Sequence, residues 1–173
     1  MNKSKINLLI AGSNVYETQL LVSVLLEIIP EFTYAIAKNG IECIANLKNK
    51  NKPDIVFLDL HLPLKNGIEC LKDIDHQELL RDTPIIIHSF SHNRKDVEAA
   101  YAYGARAFLV NPNSFSKLFQ LVKVVFKKLG EPLKQQFDRA HFVIWERKLK
   151  LSSSIMDGAT HLSIRRHRNM DLN

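Results

Sequence analysis

DIVFLDLHLPLKNGIECL, residues Asp54 to Leu71, changes its hydrophobic period partway along. Asp54 to Asp59 is apolar between its two acids, as a strand covered on both faces is. Pro63, Asn66 and Gly67 then interrupt the run, and Gly67 opens a stretch with the spacing of an amphipathic helix. A buried strand, a turn and a helix in that order make one βα unit.

The rest of the chain repeats the unit. Strands are read at 6–11 (INLLIA), 32–37 (FTYAIA), 54–59 (DIVFLD), 84–89 (PIIIHS) and 106–110 (RAFLV), with helices near 15–29, 40–50, 67–80, 93–103 and 113–129. Regular alternation of this kind predicts an α/β fold, a doubly wound five-stranded parallel sheet with five helices. Pro30 follows the first helix, Pro53 and Pro84 precede strands, Gly104 stands where a helix C-terminus takes a left-handed residue, and Asn113 or Ser114 can cap the fifth helix. KNGIEC occurs twice, at Lys38–Cys43 and Lys65–Cys70, each time where a helix opens. Six residues without a period do not make a solenoid, so the shared feature is loop-to-helix chemistry.

The 173 residues, 46% of them hydrophobic, suffice for one sizeable core with an appendage. No apolar run reaches the ~18 residues of a membrane span, and MNKSKINLLIAG lacks the long apolar stretch and cleavage site of a signal peptide, so a cytoplasmic location is expected. Cys43 and Cys70 form no CxxC pair, which points to buried, reduced thiols and not to a disulfide framework or a zinc site. The net charge of +6 is spread: 16 Lys and Arg stand against 13 Asp and Glu through Gly130, and 8 against 5 beyond it. No single patch for nucleic acid or membrane follows.

Beyond Gly130 the character changes. Residues 1–130 read as one domain. Pro132 can open a new helix at its first turn, and Phe137, Ile144, Trp145 and Leu149, with His141 between, recur at helical spacing, so 131–150 is read as an amphipathic C-terminal helix. Residues 151–173 read as a flexible basic tail. Its RRHR cluster, Arg165 to Arg168, lacks interleaved aromatics or a motif and does not imply nucleic acid.

DIVFLDLHLPLKNGIECL, TPIIIHSFS (Thr83–Ser91) and YGARAFLVNPNSF (Tyr103–Phe115) strongly resemble the receiver domain of two-component response regulators, over roughly residues 5 to 129. The resemblance implies the CheY-like, flavodoxin-type strand order 2-1-3-4-5, in which sites form at the carboxyl ends of the central strands. It places the phosphoacceptor on Asp59, the switch hydroxyl on Ser89 and the switch aromatic on Phe108. His61 matches the residue whose backbone carbonyl binds metal. It also implies a histidine kinase or other signalling protein as partner, a homodimer through helix 4, strand 5 and helix 5, and a binding module, not an enzyme.

Three positions depart from the family. The acidic pair that holds magnesium after strand one is Gly12 and Ser13, within LLIAGSN (Leu8–Asn14), and the lysine after strand five is Asn111. Of the family's charged pocket only Asp59 is left, a poor site for an ion that wants several hard oxygen ligands. If each lost electrostatic contact is worth about 3 kcal/mol at the transition state, two slow phosphoryl transfer roughly ten-thousandfold. The expectation is an atypical receiver without a bound cofactor that works by protein contact. The alternative is a conventional phosphoacceptor in which Glu17, one turn beyond Ser13, and the His61 carbonyl rebuild a Mg2+ site and Lys95 or Arg94 supplies the cation. Glu17 also reads as a first-turn acid favoured by the helix dipole, Lys95 and Arg94 as a solvated face, and His88 as a buried, hydrogen-bonded histidine. A flavodoxin-type FMN site shares the strand order, but no phosphate-cradling run of glycines and hydroxyls follows strand one.

Overall fold

The computed structural model describes residues 5–77, 83–129 and 136–146. Its elements run β1 (Ile6–Ala11), α1 (Val15–Ile28), β2 (Phe32–Ala37), α2 (Gly40–Leu47), β3 (Ile55–Asp59), α3 (Gly67–His76), β4 (Ile85–Ser89), α4 (Arg94–Ala102), β5 (Ala107–Val110), α5 (Phe115–Leu129), α6 (Arg139–Phe142) and β6 (Val143–Ile144). The sheet order is β2-β1-β3-β4-β5-β6, and every pairing is parallel. None of the described helices is long and apolar enough to cross a membrane.

Alternation along the strands divides the core into two layers. Leu8, Ile10, Ile55, Phe57, Ile86 and Leu109 pack with α1 and α5 on one face. Leu9, Val56, Leu58, Ile87 and Phe108 pack with α2 and α3 and with Ala100 of α4 on the other. Burial on both faces explains why β3 and β4 read as unbroken apolar runs.

Four helices start on asparagine. Asn14, Asn39, Asn66 and Asn93 each accept a backbone N–H of the first turn, and at Asn66 the side chain of Glu69 returns the bond to complete a capping box. Gly104, at φ 78, ends α4 in the left-handed region, as its place in the sequence predicted.

The two KNGIEC segments meet. Gly40 donates its N–H to the carbonyl of Pro63 at 3.3 Å, and a Cβ on Gly40 would lie 2.0 Å from the Lys65 carbonyl oxygen. Glycine is required there so that α2 can approach the loop ahead of α3.

The expected C-terminal helix over 131–150 is corrected within 136–146. That stretch forms a single helical turn and then a strand paired to β5, Phe108 opposite Val143 and Leu109 opposite Ile144. The open edge of β5 offers a ladder of backbone partners, and the β-branched pair Val143 and Ile144 suits it better than a helix interior. Phe142, which lies off the helical period, anchors the segment: it is 2% exposed and meets Tyr101 edge to face with centroids 5.0 Å apart. Gln136 donates to the carbonyls of Tyr101 and Ala105 at 2.6 and 2.9 Å, and Lys117 pairs with Glu146. Residues 131–135, 147–150 and the tail 151–173 with its Arg165–Arg168 cluster lie outside the described residues.

Candidate functional site

The carboxyl ends of β1, β3 and β4 converge on a cavity of about 10 Å³ lined by Gly12, Asn14, Glu17, Thr18, Asp59 and His88, among others. Asp59 ends β3 and is half-buried, on the same sheet face as Phe57. Its Oδ1 accepts the backbone N–H of His61 at 3.0 Å. Burial pushes its carboxyl above the ordinary range, against the backbone N–H groups of His61 and Leu60 and the His61 ring, which favour the charged form.

Glu17 lies in the first turn of α1. Its Oε1 accepts from the Asn14 amide at 2.7 Å, while Asn14 also caps the helix through the N–H groups of Tyr16 and Glu17. Partial burial and then the nearby Asp59 charge push the Glu17 carboxyl up, and the Asn14 bond and His61 oppose them. Two carboxylates therefore repel each other across the cavity, with the His61 ring as the group that offsets both.

The place for an acidic side chain at position 12 is filled. A Cβ there would sit 2.8 Å from the Thr18 hydroxyl, which donates to the Asn14 carbonyl at 2.9 Å. Ser13 is exposed and adds no carboxylate. On the far side, a Cβ on Gly67 would lie 2.5 Å from the Asp59 carbonyl oxygen, so α3 begins against the backbone that presents Asp59.

His88 and Asn111 form the floor behind Asp59. His88 is the register partner of Asp59 on β4 and is 7% exposed, and Asn111 is 4% exposed. Burial drives His88 down to about 4, with Asn111 beside it pulling the other way. Nε2 of His88 and both polar side-chain atoms of Asn111 make no hydrogen bond of ordinary geometry among the described residues. The buried histidine expected at 88 is present, but only partly satisfied.

Ser89 and Phe108 stand elsewhere. Their strand parity places them on the opposite layer, with Ile87; Phe108 is fully buried, and the Ser89 hydroxyl accepts the Ser91 N–H at 3.2 Å. Phe142 contacts Phe108 at 6.4 Å between centroids, so the C-terminal segment reaches that aromatic directly. The two cations considered as substitutes for the lysine are otherwise placed: Arg94 pairs with Glu98, and Lys95 is exposed. Sequence reading missed Thr18 and Asn14 and took His61 only for its backbone. Their signal was proximity to Gly12 and Asp59 in the chain, which becomes legible once α1 is known to start at Val15.

Residues 16–123 match the family described as the response regulator receiver domain. The chain belongs to that family. Response regulator Rcp1 of Synechocystis is 29% identical over 128 residues, which cover 70% of this chain and 86% of Rcp1. Among solved structures, the phosphorylated cyanobacterial phytochrome response regulator RcpA superposes with a TM-score of 0.68 at 25% identity, covering 74% of this chain and 96% of that one. The Mn2+-bound form of Rcp1 gives 0.65 at 25% identity, covering 73% and 96%.

A receiver of this family holds its divalent ion at the phosphorylation site, and the residues present here do not fit one. Gly12 and Ser13 supply no carboxylate, Thr18 takes the space, and no group of three or more His, Cys, Asp or Glu among the described residues is arranged to hold a metal. At about 10 Å³, the cavity is also far too small for a flavin.

Proposed function

We propose that this receiver works in the cytoplasm as an atypical member of a two-component network, signalling by protein contact, with phosphorylation of Asp59 weak or absent. One observation carries the reading: the position that brings the first acid in the family is Gly12, closed over by Thr18, while Asn111 replaces the lysine with a neutral group. Phosphoryl transfer rests on positioning and on neutralising charge at the transferred oxygens. Asp59 is left with backbone N–H groups and the His61 ring for that task.

The partner is a histidine kinase or another signalling protein. Around the Asp59 end of the sheet Val15, Tyr16, Leu64 and Phe90 are exposed, Tyr16 by 83% and Leu64 by 78%, and together they supply the apolar contact area a partner needs. The face of α4, β5 and α5 carries residues 136–146, so a homodimer through that face forms over this segment or after its release.

A second reading keeps Asp59 as a conventional phosphoacceptor, and the placement of Glu17 on the same cavity as Asp59 favours it. The test is intact-protein mass after incubation with magnesium and acetyl phosphate, beside Asp59→Asn. No adduct in the folded protein supports the contact-only reading. An adduct absent from Asp59→Asn overturns it, and its loss in Glu17→Gln assigns Glu17 the supporting role.

A further inference from the structure

The chain's only two cysteines, one from each KNGIEC segment, lie against each other between α2 and α3. Cys43 sits on α2 one turn beyond Gly40, and Cys70 sits one turn into α3. Both are 0% exposed. The Cys70 thiol donates to the Gly40 carbonyl at 3.6 Å and to the Lys65 carbonyl at 3.8 Å, and a Cβ on Gly40 would be 2.7 Å from its sulfur. The Cys70 sulfur thus abuts the first turn of α2, the turn that leads into Cys43, and the two buried thiols are close enough to shift each other's titration.

We propose that Cys43 and Cys70 are an oxidisable pair that closes into an intrachain disulfide when the protein meets a hydroperoxide. The neighbouring Cys43 thiol holds Cys70 below its ordinary range, with Lys65 assisting and burial opposing, while Cys70 in turn pushes Cys43 up. Cys70 is therefore the attacking sulfur. Its thiolate cleaves the O–O bond of hydrogen peroxide, leaving a sulfenic acid on sulfur and releasing water once the proton is counted. Cys43 attacks that sulfur and expels a second water. Two S–H bonds and one O–O bond are lost, one S–S bond and two new O–H bonds of the waters form, the thiols are oxidised and the peroxide is reduced. Because both thiols are buried, the step needs a local opening of α2 and runs slower than at an exposed cysteine.

The bond ties α2 to α3, whose first residue, Gly67, donates to the Leu60 carbonyl just beyond Asp59. Oxidation thus stiffens the loop that presents Asp59. This inference does not rest on whether Asp59 is phosphorylated.

The test treats the full chain with excess hydrogen peroxide, then unfolds it in the presence of an alkylating reagent and maps the peptides. The expected result is a monomer lighter by two hydrogen atoms, with Cys43 and Cys70 peptides joined and neither alkylated, and with a thermal midpoint raised on the order of 10 °C and restored by a dithiol reductant. Cys43→Ala is expected to stop instead at a Cys70 oxoacid. Two freely alkylated thiols in the treated wild-type chain, a disulfide-linked dimer, or stable oxoacids without the crosslink would each overturn the proposal.

Discussion

The hydroxyl of Thr18 stands 2.8 Å from the point a Cβ on Gly12 would occupy. Thr18 is β-branched, lies in α1 and is tied to the Asn14 carbonyl, so it yields reluctantly. Gly12→Asp is expected to cost about 1–3 kcal/mol by overpacking, and adding Thr18→Ala should recover most of that. Urea unfolding of the three proteins checks it; equal stability of Gly12→Asp and wild type would show the space to be open.

His88 makes stability depend on pH. Its folded value of about 4 lies below the ordinary 6.5, so between those limits the unfolded chain binds more protons. Stability contributed by neutral His88 is complete above about pH 6.5 and falls as pH drops toward 4, by up to about 3 kcal/mol. His88→Leu should flatten this acid limb in urea unfolding measured across pH; an unchanged limb would mean that His88 is solvated.

Asp59 and Glu17 act with the opposite sign. Their carboxyls are held above the ordinary range in the fold, so the folded chain keeps protons longer and stability falls as pH rises through that window. Asp59→Asn should therefore stabilise the protein at pH 7.5, and the gain should disappear once the wild-type carboxyl is protonated. Because each charge opposes the other, Glu17→Gln should add less in the Asp59→Asn background than alone. Thermal midpoints of the double-mutant cycle at both pH values test this, and strict additivity would separate the two groups.

Phe142 holds the C-terminal segment against Tyr101 and Phe108. Phe142→Ala is expected to cost about 3 kcal/mol, as truncating a buried phenylalanine does. Trp145, the only tryptophan, directly follows β6, with its ring 5.6 Å from that of His92. Its fluorescence should shift to the red as the segment releases. A shift without loss of stability would mean that the core does not count on this segment.

The five βα units were legible because each strand is a short, largely apolar run, unbroken in β3 and β4, and each helix begins at a turn signal; the strand bounds agree with the structure to within one residue. The empty acid positions at Gly12 and Ser13 and the neutral Asn111 could also be read directly. What filled the space could not: Thr18 reaches Gly12 only because Asn14 starts α1 one turn earlier, a matter of helix phase. The segment after Gly130 misled for a different reason. Phe137, Ile144 and Trp145 match a helical period, while the pull of β5's unpaired edge is tertiary and leaves no mark in local spacing.

That edge has a consequence for how the molecule behaves in a crowd. Among the described residues the sheet ends at β6, two residues long and too short to template another chain. The opposite border is β2, six residues long, with Tyr34 and Ile36 exposed along it. Runaway strand-to-strand aggregation, when it occurs, should begin at β2, and a lysine in place of Ile36 should slow it.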